Sequence, residues 1–89
     1  MVRKITDCPA GKEFIFRLPN GTAVGKAKNI IEFTELVKIA PLPSLLYHSK
    51  GRHFSPWLES IGEKDAAVRL KSMHIDDATV RVSVLRALK

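Results

Sequence analysis

Hydrophobic and polar positions alternate over Glu13-Phe14-Ile15-Phe16-Arg17-Leu18, so a strand there sets Phe14, Phe16 and Leu18 on one side. Pro19-Asn20-Gly21 follows with turn chemistry: proline presets φ, while Asn and Gly tolerate the left-handed conformation that a reversal needs. A second strand over Thr22 to Lys26 completes a hairpin, with Gly25 read as a strand end. Two strands alone are marginal in water, so helices must cover the Phe14/Phe16 face.

Beyond residue 28 the period changes to that of a helix. Asn29 and Glu32 have capping-box spacing, and Ile30, Phe33, Leu36, Val37 and Ala40 fall on one stripe with Glu32, Glu35 and Lys38 largely opposite. Pro41 should end this helix, because proline disfavours helical geometry in the residue before it. A second, short helix is expected from Pro43 to Lys50, with Pro43 in its first position and Gly51 as its left-handed stop. Phe54, Trp57, Leu58 and Ile61 sit at i, i+3, i+4 and i+7, which predicts a third helix closed by Gly62. A fourth, over Asp65 to Met73, would bury Ala66, Ala67, Leu70 and Met73. The last segment carries two patterns: Ala78, Val80, Val82 and Val84 alternate as in a strand, whereas Leu85 and Leu88 extend a helical stripe. Helix is preferred over Asp76 to Leu88, with Asp76 as N-cap and Ile75 stapled onto Val80. The fold class is therefore α+β, a two-stranded N-terminal hairpin packed on four or five short helices.

Eighty-nine residues suffice for one domain and not two, since a chain this short buries only about 60 to 65% of its unfolded surface. Residues 1–89 are read as that domain, with 1–11 as a flexible N-terminal segment. A composition of 45% hydrophobic and 27% charged residues is that of an ordinary globular chain. No run approaches the roughly 18 apolar residues of a membrane span, and the first residues lack the apolar core of a signal peptide, so a cytoplasmic location is expected. The lone Cys8 leaves no internal disulfide and no cysteine-based zinc cluster.

Several of these features occur in an order that resembles a family of small archaeal and bacterial domains of unknown function. The features are the aromatic strand Phe14-Ile15-Phe16, Asn20-Gly21, a helix opening Asn29-Ile30, the Tyr47-His48 pair, Phe54-Ser55-Pro56-Trp57-Leu58, and Gly62 before an Ala-rich helix. The resemblance spans about residues 14 to 72 and implies helices over 43 to 72. It carries no mechanism. In that family an acidic residue precedes the Phe of the F-x-x-W motif and caps the helix; here His53 stands there, so capping passes to Ser55 or is lost, and Pro56 suggests a start shifted by about a turn.

The candidates for chemistry are few. His48, His53, His74 and Cys8 are the soft-metal ligands available, but His48 and His53 lie five apart across a glycine with no acid between them, so no metal site is assigned. His48 is expected to lay one ring face on the core and hydrogen-bond outward. Ser44, Ser49 and Cys8 lie in no nucleophile-elbow motif, phosphate-loop and dinucleotide patterns are absent, and one small core rarely spares a substantial pocket. The chain is therefore read as a non-enzyme needing no cofactor. Trp57 and Tyr47 are the candidate base-stacking rings, but Trp57 belongs to an apolar stripe, which favours core packing.

Charge supplies the leading functional expectation. The formal net charge is +6, and residues 1–52 carry nine Lys and Arg against four acids, whereas residues 53–89 carry six against five. Lys12, Arg17, Lys26, Lys28, Lys50 and Arg52 lie in segments expected to be exposed, and as one patch they would hold phosphates without reading base sequence. The leading reading is a small basic domain that binds nucleic acid, DNA or RNA, with low sequence specificity. The competing one is a protein-interaction or regulatory module, homodimeric through an open hairpin edge or an apolar helix face.

Overall fold

The computed structural model describes residues 7–72 and 78–88 of the chain. It consists of an antiparallel hairpin, β1 (Phe14–Arg17) and β2 (Ala23–Ala27), followed by five helices: α1 (Ile30–Ile39), α2 (Leu42–Gly51), α3 (Phe54–Ser60), α4 (Lys64–Ser72) and α5 (Val80–Ala87). The α+β expectation holds.

Phe14 pairs with Ala27, Ile15 with Lys26 and Phe16 with Gly25, and the register shifts between Phe16 and Arg17. The turn is closed by Leu18 N–H to Thr22 O and by Thr22 N–H to Asn20 Oδ1. Phe14 and Phe16 point inward and are buried, whereas Ile15 and Arg17 face out. Gly25 is not a strand end: it lies inside β2, where an added Cβ would come within 2.9 Å of the Leu36 side chain. A glycine there lets α1 approach the hairpin closely, which the sequence pattern did not reveal.

The capping box forms with one displacement. Glu32 N–H donates to Asn29 Oδ1 (2.9 Å), but the Glu32 carboxylate accepts from Lys28 N–H (3.0 Å), one residue ahead of the N-cap. Of the N-terminal segment, residues 1–6 lie outside the described residues; Asp7 accepts from the Asn29 side chain, and Cys8 N–H donates to Lys28 O.

Three expectations about helix ends are corrected. Gly51 is the last residue of α2, and the left-handed position belongs to Arg52, at φ 55° and ψ 42°. His53 N–H reaches back to His48 O (3.0 Å) and Arg52 N–H to Ser49 O (3.2 Å), the two bonds of a Schellman closure. Ser55 does not cap α3; its hydroxyl is buried and donates to Ala67 O (3.0 Å), tying α3 to α4. The last segment is helical, not a strand, but starts at Val80 with Thr79 at the N-cap, later than the Asp76 expected. The expected Ile75 staple, Met73 and His74 lie outside the described residues.

The core lies between the inner hairpin face and the helices. Phe14, Phe16, Phe33 and Phe54 form one aromatic cluster with centroids 4.9 to 6.2 Å apart, and Trp57 stacks on Phe33 at 5.5 Å and 19°. Trp57 also donates from Nε1 to Lys12 O, so it is committed to packing, as its place in the stripe suggested. Leu45, Leu58, Val37, Val80 and Val84 complete the interior.

Candidate functional site

The structure brings histidine chemistry together at one end of α2. His48 is buried, at 4% exposure, with its ring 4.9 Å from Phe14, 5.9 Å from Phe16 and 5.6 Å from Phe54. Its Nε2 accepts from the backbone N–H of Arg17 at 2.8 Å. That N–H belongs to the edge of β1 turned away from β2, so α2 and His48 cover one of the two hairpin edges expected to be open. His48 bonds sideways to a strand edge and does not reach outward to solvent.

The remaining ring nitrogen fixes the protons. Because Nε2 of His48 accepts, its neutral ring carries hydrogen on Nδ1, which lies 2.9 Å from Nδ1 of His53. His53 must then accept at Nδ1 and hold its own proton on Nε2. Burial first, then the neighbouring His53 and Arg17 charges, pull the His48 pKa down to about 4 from 6.5, which keeps this chain of donors intact near neutral pH. The His53 ring lies flat over Gly51, where a Cβ would sit 2.4 Å from Nε2; only glycine leaves it that space.

Beside this pair runs an open groove of about 640 Å³ between the hairpin turn and α2. Pro19 supplies one wall, while Pro43, Leu46, Tyr47 and Lys50 line the other and His53 the end. Tyr47 is half-exposed, with its ring against those of His48 and His53 at 5.0 and 5.3 Å. Sequence reading had Tyr47 as a candidate stacking ring and Pro19 only as a turn residue, and did not join the two. The available signal was the i, i+5 spacing of His48 and His53 across a helix end, which a Schellman closure folds into contact.

The six cations expected in one patch divide. Arg17 closes β1 at the turn, donating from a guanidinium nitrogen to Gly21 O (2.9 Å); Lys50 lines the groove together with Pro19, and Arg52 follows at the left-handed cap. Lys26 stands opposite Ile15 on the outer hairpin face. Lys12 and Lys28 lie at the other end of the hairpin, where desolvation first, and then the charges of Glu13, Asp7 and Glu32, push the Cys8 thiol's pKa up. Carboxylates thus share the space of Lys12 and Lys28. Residues 14–31 and 36–58 contain no Asp or Glu, and these two segments of sequence supply β1, β2, α2 and the Arg52–His53 loop.

Among the described residues no three His, Cys, Asp or Glu side chains gather as metal ligands, and no helix is long and apolar enough to cross a membrane. No protein-family model, curated protein or solved structure matches the chain.

Proposed function

We propose that this domain binds the phosphate backbone of nucleic acid with low sequence specificity, through Arg17, Lys50 and Arg52 at the turn end of the hairpin and Lys26 on its outer face, and acts without catalysing a reaction. Lys12 and Lys28 contribute less, because Asp7, Glu13 and Glu32 surround that end and offset their field. The observation that carries the proposal is the packing of β1 against α2, which sets two acid-free stretches of chain side by side with their cations exposed. His48 supports binding over acid–base catalysis: its two ring nitrogens are taken up by Arg17 and His53, and its ring is enclosed by phenylalanines.

The backbone of Arg52 adds a separate argument. A left-handed C′ position favours glycine, and a larger residue there costs about 1 kcal/mol or more. A strained arginine at an exposed loop suggests that its side chain is used. Arg52→Gly is therefore expected to raise stability by about 1 kcal/mol while weakening nucleic-acid binding. Denaturant melts and a binding titration on the same sample check both; a variant neither more stable nor weaker in binding would remove this support.

Fluorescence anisotropy of labelled DNA and RNA, single-stranded and duplex, across a salt series tests the proposal itself. Affinity should fall steeply with salt, and each of Arg17→Gln, Lys26→Gln and Lys50→Gln should reduce the slope of log K against log salt by about 1 for duplex DNA, against a smaller change for Lys12→Gln and Lys28→Gln. Absence of binding at low salt would end the proposal.

A further inference from the structure

We infer that the groove between the hairpin turn and α2 takes one unpaired nucleobase of a single strand, with the adjoining phosphate against Arg17 and Lys50. This inference rests on the phosphate-binding reading and names the chemistry that would be held beside the phosphate.

Size comes first. The groove's roughly 640 Å³ falls within the range of about 300–1,000 Å³ typical of small-ligand sites. Its walls suit a flat ring. Pro19, Pro43 and Leu46 give apolar surface, and Tyr47 offers an aromatic ring that is 37% exposed, on which any base can stack. Lys50 in its lining and Arg17 at the adjoining turn favour an anionic strand over an apolar peptide, since Arg17 spends one guanidinium nitrogen on Gly21 O and keeps further donors for phosphate oxygens.

His53 then sets what kind of base fits. Its Nδ1 is occupied by His48, so the ring that ends the groove can donate from Nε2 and cannot accept. A lone donor matches a carbonyl acceptor on a base edge, as thymine and uracil present. Gly51 is part of this arrangement, because a side chain there would drive His53 from its position and leave His48 Nδ1–H without its acceptor. The contrast with Trp57 is instructive: that ring is stacked on Phe33 and bonded to Lys12 O, which leaves Tyr47 as the aromatic ring that borders open space at the cationic end.

The test compares two labelled single strands with the same number of phosphates, a short oligothymidylate and its fully abasic counterpart, by fluorescence anisotropy at low salt. The thymidylate should bind roughly tenfold more tightly, as one stacked base would give. Tyr47→Ala should bring the ratio close to one while leaving the abasic affinity in place. Equal binding of both strands by the unaltered protein would overturn the base site and leave phosphate binding standing. Binding of neither strand would overturn both. A Tyr47→Ala protein that folds, as judged by its thermal melt, yet keeps the full ratio would also remove the groove from the account.

Discussion

Lowering the pH from about 6.5 to about 4 is expected to cost this fold on the order of 2 to 3 kcal/mol through His48 alone. The sign follows from proton counting. In the unfolded chain the ring titrates near 6.5, whereas in the fold burial and the His53 and Arg17 charges hold it down to about 4. Between those values the unfolded state binds the extra proton and the folded state does not, so acid drains stability across this window and has no further effect through this ring below it. A shift of this size would correspond to a little over 3 kcal/mol at full strength, and the figure is reduced because the exposed His53 lets solvent screen one side. His48→Gln isolates the effect: Gln places an oxygen where Nε2 accepts from Arg17 N–H but does not titrate. Urea melts at several pH values should show the variant less stable near neutrality, from lost ring packing, with a shallower decline toward acid. An unchanged decline in the variant would show that some other group carries the pH dependence.

The fold was largely legible because its elements bury single stripes. Phe14 and Phe16 alternate, and Ile30, Phe33 and Val37 repeat with helical period, so element type followed from spacing alone. What escaped depended on close approach in space. Gly25 looks like a strand end in sequence, and only the position of Leu36 shows why no side chain fits there. Ser55 looks like an N-cap, but the packing of α4 brings Ala67 O to its hydroxyl. Gly51 looked like the left-handed stop because glycine usually fills that position; the helix instead runs one residue further, and Gly51 serves the ring of His53. The candidate site was legible in the same measure. Exposure of the cations could be read from loop and turn residues, but their grouping depended on where Asp7, Glu13 and Glu32 gather around Cys8. Part of that was open to view, since Glu32 lies four residues after Lys28 across a helix start. The contact of Asp7 with Asn29, 22 residues away, was not.

Phe33→Ala is expected to have the largest effect of any single truncation discussed, about 3 to 5 kcal/mol. Phe33 has no exposed surface, and its ring touches Phe14, Phe16, Phe54 and Trp57 at centroid distances of 5.3 to 5.5 Å. It therefore joins β1 to α3 through α1, and the cavity left by its removal would be walled by large rings that cannot all move inward together. The hairpin would suffer most, because two strands without a covered face are barely stable in water. For a domain of this size the loss corresponds to a fall in Tm of roughly 15 to 30 °C, against a total stability of only about 5 to 15 kcal/mol. Ile39→Ala, on the same helix at 75% exposure, should stay within about 0.5 kcal/mol of the unaltered protein. Denaturant melts of the two variants side by side make the comparison. If Phe33→Ala were as mild as Ile39→Ala, α1 could not be packed on the hairpin through this ring, and the contact of β1 with α2 that positions Arg17 against His48 would lose its foundation.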